Sequence, residues 1–80
     1  MKCIFLFRSV HQVMKAEKLL KGKGIKIDII PVPREISSDC GVAIELPLGV
    51  KEEAWNLLEE NQVVILDCYI RTKERGLERG

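Results

Sequence analysis

The chain has 80 residues, of which 46% are hydrophobic and 31% charged, and its formal net charge is +1. A chain this short makes one small domain, burying only about 60% of its unfolded surface, which excludes a deep enzyme cleft. The balanced charge gives no general electrostatic reason to bind nucleic acid or an anionic membrane.

The opening Met1–Arg8 weakly mimics a signal peptide. Its apolar run stops at Arg8, short of the ~7–15 residues of a signal core. No run approaches the ~18 apolar residues of a membrane span. A cytoplasmic protein is expected.

Cys3 to Phe7 is a continuous apolar run, fit for a central strand. Ser9 and Gln12 form a Ser-x-x-Gln capping pattern, which satisfies free amides at a helix start. Val10, Val13, Met14, Ala16 and Leu20 then recur at helical spacing. Lys21-Gly22-Lys-Gly24 stops the helix with glycine and basic side chains. Ile25 to Ile30 reads as a second strand with Ile25, Ile27 and Ile29 on one face, ended by Pro31 and Pro33.

Val42, Ile44 and Leu46 alternate with Ala43 and Glu45 in a third strand, and Pro47-Leu-Gly49 breaks it. Val50, Ala54, Leu57 and Leu58 share one face of a second helix. Glu52 and Glu53 suit its first turn, and Asn61 suits its end. Val63 to Ile70 forms the fourth strand. The remaining Arg71–Gly80 is polar and glycine-punctuated and is expected to fray. This order predicts an α+β fold, a ferredoxin-like βαββαβ two-layer sandwich with an antiparallel sheet, over residues 1–70 with a tail over 71–80.

The chemistry points to the stretch Pro31 to Gly41. Cys40 closes a polar loop just before the third strand, with Arg34, Ser37 and Ser38 in the same loop. Gly41 leaves the approach to the sulfur open. In this fold the end of strand 1, the start of strand 3 and the start of the first helix share one sheet edge. Ser9 and His11 are therefore expected near Cys40. Helix-start amides and a cation favour a thiolate, and His11 is suited to shuttle a proton. Asp39 works against the thiolate.

Each residue also has a plainer role. Ser9 caps the helix, His11 and Arg34 are solvated, Ser37 and Ser38 make turn hydrogen bonds, and Cys40 packs as a small hydrophobe. Cys3 and Cys68 fall inside strand patterns and read as packing residues. Trp55 reads as packing beside the second helix's stripe, and Glu17, inside an apolar arc, needs a cation or amide. Three irregularly spaced cysteines and one histidine argue against a disulfide framework or a tetrahedral metal site.

Phe7-Arg-Ser-Val-His11, Ala16-Glu-Lys-Leu-Leu20 and Ile30 to Gly41 together resemble a family of small bacterial and archaeal domains, the selenium/sulfur carrier-like family. The resemblance covers about residues 1–70. Its most specific part is Pro-Arg-x-Ile-Ser-Ser-x-Cys-Gly at Pro33–Gly41, with Ser-x-His at Ser9 and His11 in support. It implies that Cys40 carries sulfane sulfur or selenium.

The first reading is thus a thiol carrier rather than a turnover enzyme. It would be loaded by a donor protein such as a cysteine desulfurase, unloaded to an acceptor protein, and would need no cofactor. Ser9, His11, Arg34, Ser37, Ser38 and Gly41 would stabilise the adduct. A non-catalytic ligand-binding, regulatory or assembly module of the same fold is the alternative. Single-stranded RNA binding fails, because the third strand has no aromatics for base stacking. Strand 1 has apolar residues on both faces, Cys3, Phe5 and Phe7 against Ile4 and Leu6. A homodimer through the open sheet face is expected to cover the exposed set.

Overall fold

The two-sided apolar character of the first strand organises the whole molecule. In the computed structural model, which describes residues 1–36, 41–74 and 76–80, β1 (Lys2–Leu6) is the middle strand of a five-stranded sheet. The other strands are β2 (Asp28–Pro31), β3 (Val42–Pro47), β4 (Asp67–Thr72) and β5 (Gly76–Arg79). The strand order is β2-β3-β1-β4-β5, and every adjacent pair is antiparallel. Helices α1 (Val10–Gly22) and α2 (Lys51–Glu60) pack side by side on one face. The first four strands and two helices have the ferredoxin-like order and the expected two-layer α+β architecture.

On the helix side, Cys3, Phe5 and Phe7 of the first strand run pack with Val13, Ala16 and Leu20 of α1 and with Ala54 and Leu58 of α2. Full burial of side chains such as Phe5 and Leu20 contributes about 1.5–3 kcal/mol each, so this layer is the main source of stability. Trp55 meets Phe5 edge-on, with ring centroids 5.6 Å apart. Glu17 finds its cation in Lys21, one helical turn on, at 3.0 Å.

The helices differ in charge. Among ionised side chains, α1 carries Lys15, Lys18 and Lys21 against Glu17, and Arg8, Lys23 and Lys26 flank it. Four glutamates, Glu52, Glu53, Glu59 and Glu60, stand against Lys51 in α2.

The far face is not the open apolar patch that the sequence suggests. Ile4 is fully buried there and Leu6 is 4% exposed. Ile36, from the β2–β3 connection, packs over them together with Ala43, Ile30, Val32, Tyr69 and Leu77. Ion pairs border this second cluster, Arg71 with Glu45 at 3.1 Å and Arg79 with Asp67 at 2.7 Å. The premise of the sheet-to-sheet dimer, an uncovered Ile4/Leu6 face, is therefore absent from the single chain.

Three further differences have physical causes. β4 runs on through Thr72 and turns back into β5, so 76–79 is a paired edge strand and not a frayed tail. Gly76, at a φ of 69°, supplies the left-handed conformation at that turn. β2 is short and includes Pro31, which pairs with Val42; an edge strand tolerates proline because one side of its backbone makes no ladder bonds. Ile25 and Ile27 precede the strand yet pack on the helix-side core, whereas Ile29 is 41% exposed at the margin. Val63 to Leu66 likewise form a connector, with Val63 buried and Val64 67% exposed. A short 3-10 turn, Leu48–Val50, fills the expected break before α2.

Candidate functional site

The sheet register brings the expected edge together. Phe5 lies opposite Ile44 and Lys2 opposite Pro47, so β1 ends where β3 begins. Val32 donates its N–H to the carbonyl of Gly41 at 3.1 Å, closing the β2–β3 connection at its base. Gly41 has a φ of 74°, and a Cβ built on it meets nothing within 4 Å. The glycine answers a backbone need here, and the space beside it is open. Ser37, Ser38 and Cys40, expected at the site, lie outside the described residues, as does Asp39.

Between these points the chain makes a tight turn. Ile36 donates its N–H to the Pro33 carbonyl at 3.0 Å, which leaves Arg34 and Glu35 exposed at the corner. Ile36 then anchors the turn to the far-face cluster. The sequence analysis missed this role, although one isoleucine in a run of polar residues is a visible signal for it.

Ser9 is the N-cap of α1, with φ −151° and ψ 162°, and its Oγ accepts from the Gln12 N–H at 3.3 Å. His11 is exposed in the first helical turn. Among the described residues, none pairs with His11 or with Arg34. Ser9 also lines a cleft of ≈ 360 Å³ with Arg8, Gln12, Gln62, Val64 and Leu66. This cleft opens toward the connector into β4. The helix start and the Pro33–Ile36 turn thus share an edge but approach it from opposite faces of the sheet. The helix packs on the Phe7 side, and Ile36 packs on the Leu6 side.

Cys3 and Cys68 sit in the helix-side core as expected, 0% and 2% exposed. What the sequence did not reveal is that they are diagonal neighbours across β1 and β4, Cys3 opposite Ile70 and Cys68 opposite Phe5. The neighbouring Cys3 thiol holds the Cys68 thiol down at about 7, against burial, with Lys51 helping and Asp67 opposing. Cys68 and then burial push Cys3 well above the ordinary thiol range. Among the described residues no cluster of three or more His, Cys, Asp or Glu side chains is placed to hold a metal ion. No helix among them is long and apolar enough to cross a membrane.

Against known proteins, a family model described as "Putative Se/S carrier protein-like" matches residues 2–70. That span runs from β1 into β4 and includes the whole Pro33–Gly41 motif. No curated protein and no solved structure matches the chain.

Proposed function

Because the chain belongs to the Se/S carrier protein-like family, we propose that it is a small thiol carrier that holds sulfane sulfur or selenium on Cys40. The observation that carries the reading is the base of the β2–β3 connection. Gly41, next to Cys40 in the chain, is fixed by its bond to Val32 at the sheet edge where α1 begins. A helix start presents unpaired amides and partial positive charge, which suits an anionic persulfide or selenide adduct.

Loading is a thiol exchange. The Cys40 thiolate attacks the outer sulfur of a donor persulfide, the donor S–S bond breaks, and the donor leaves as a thiolate that takes up the proton. Delivery repeats the step with an acceptor nucleophile. The partners are a donor protein, such as a cysteine desulfurase, and an acceptor protein. Arg34, His11 and the serines at 37 and 38 are the groups proposed to steady the charge. The chemistry calls for a cytoplasmic, reducing setting in which thiols stay free.

Intact-mass measurement after incubation with a persulfide donor tests this. The wild-type protein should gain the mass of one sulfur atom, and Cys40→Ala should gain none. A gain that survives Cys40→Ala, or no gain in the wild type, removes the carrier reading and leaves the binding-module alternative.

A further inference from the structure

Three of the exposed large apolar side chains gather beside one flank of α1. Val10 is 49% exposed, Met14 50% and Ile29 41%. Ile29 lies opposite Ile44, and Pro31 lies opposite Val42. Ile44 and Val42 belong to the helix-side core, so Ile29 and Pro31 point to the helix side as well. β2 is an edge strand, and α1 packs on its neighbour β3. The helix-side face of β2 thus runs out from under the helix layer, with Ile29 and Pro31 exposed on it.

The helix turns an apolar flank toward that face. The buried row of α1 is Val13, Ala16 and Leu20. Gln12 lies to one side of this row and lines a cleft with Gln62, Val64 and Leu66, so that flank faces the end of α2. At about 100° per residue, Val10 and Met14 fall on the opposite flank, next to β2. α1 starts at the edge where β3 starts. The strip made by Val10, Met14, Ile29 and Pro31 therefore borders Val42 and Gly41, the chain neighbour of Cys40. His11, Lys15 and Lys18 are exposed along the outer face of α1. Among the described residues no carboxylate pairs with Lys15 or Lys18, and Glu17 is tied to Lys21.

Resting on the carrier reading, we propose that this strip is where the sulfur-donor protein docks, and that the donor meets it with an apolar patch rimmed by carboxylates. An exposed apolar patch with a polar rim marks an interaction site, and free cations at the rim set the charge of the partner. A second copy of the chain is a poorer match, because a two-fold contact sets the same cationic rim onto itself. The strip is small, so the contact is of the transient kind, which suits a carrier that must leave its donor once loaded. A donor seated there lies beside Gly41, on the edge where the thiol exchange takes place.

The test compares two donors on the full chain. One is cysteine persulfide, which has no surface to dock. The other is a purified cysteine desulfurase supplied with cysteine. Intact mass follows the gain of one sulfur atom with time. Met14→Gln with Ile29→Thr, and separately Lys15→Glu with Lys18→Glu, should slow loading from the desulfurase about tenfold, the scale of an interface anchor. Loading from cysteine persulfide should stay unchanged. Val64→Ser, on the other flank of α1, should change neither rate. All five side chains are exposed, so circular dichroism should show an unchanged fold. No gain from either donor removes the carrier reading and the docking with it. Gain from cysteine persulfide without gain from the desulfurase, a desulfurase rate that both variant pairs leave unchanged, or equal slowing with both donors overturns the docking alone. So does a wild-type dimer that Met14→Gln with Ile29→Thr converts to monomer, since a second copy then covers the strip.

Discussion

Ser9 shows how much a single side chain does before any chemistry is invoked. Its Oγ satisfies one helix-start amide, and Ser9→Ala should cost about 1 kcal/mol of stability, read as a lowered urea midpoint with an unchanged slope. Cys40 should be the thiol that iodoacetamide labels first, because Cys3 and Cys68 are shut in the core. Site-resolved labelling decides this, and faster labelling at Cys3 or Cys68 would contradict it. Arg34→Ala should raise the apparent pKa of Cys40 by removing a cation, while the exposed position of Arg34 leaves the melting temperature nearly unchanged. Local roles of this kind were legible in the sequence. The cap at Ser9, the Glu17–Lys21 pair and the packing of Trp55 each depend on residues within about one helical turn or on an apolar stripe. The placing of Cys3 diagonally beside Cys68 was not legible, because it depends on the register of two strands far apart in the chain.

Among the elements, the Pro33–Ile36 turn has the clearest structural task. Ile36→Ala removes the cover from Ile4 and Leu6 and should destabilise the protein by about 2 kcal/mol, the low end for an aliphatic truncation because the cluster is small. Chemical denaturation measures it, and a loss within error of zero would show that the far face needs no cover. The β1–β4 pair carries a pH signature through its thiols. Cys68 is depressed from 9.0 to about 7. Its contribution is therefore full above the unfolded value and is lost as pH falls through about 7. Cys3 is raised, so its contribution holds below the unfolded value and is lost as pH climbs beyond it. Between these limits the folded pair has released one proton that the unfolded chain retains. Stability relative to a Cys68→Ala variant should climb from pH 7 to 9 by at most about 1.4 kcal/mol per unit, then turn down. A flat difference across that range would count against the coupling of the two thiols. Element type and order were legible from apolar periodicity. The late starts of β2 and β4 were not, because Ile25, Ile27 and Val63 are apolar for the sake of the core while their backbones stay outside the ladder. β5 escaped notice because an edge strand with an exposed face has no apolar signature.

At the scale of the molecule, the covered far face changes what is expected in solution. With Ile4 and Leu6 under Ile36 and ion pairs around the rim, light scattering at micromolar concentration should report a monomer. Ile36→Asp should promote association by exposing the face. A wild-type dimer would mean that another surface, such as the β5 edge, does the pairing. Of the candidate site, the sequence made the shared edge visible, since βαββαβ connectivity forces it. It did not show that the helix start and the Arg34 turn reach that edge from opposite faces, because nothing in local spacing says to which side a connection folds.

The unequal charging of the two helices has a consequence that the net charge of +1 conceals. Lysines gathered along α1 and glutamates along α2 set opposite charge side by side across the helical layer. In the field of an anionic protein such a body rotates during the encounter until α1 leads, and the N-terminus of α1 adjoins the edge where Gly41 is held. Orientation of this kind raises the fraction of productive collisions without adding one contact to the final complex, and it fades as salt shortens the reach of the field.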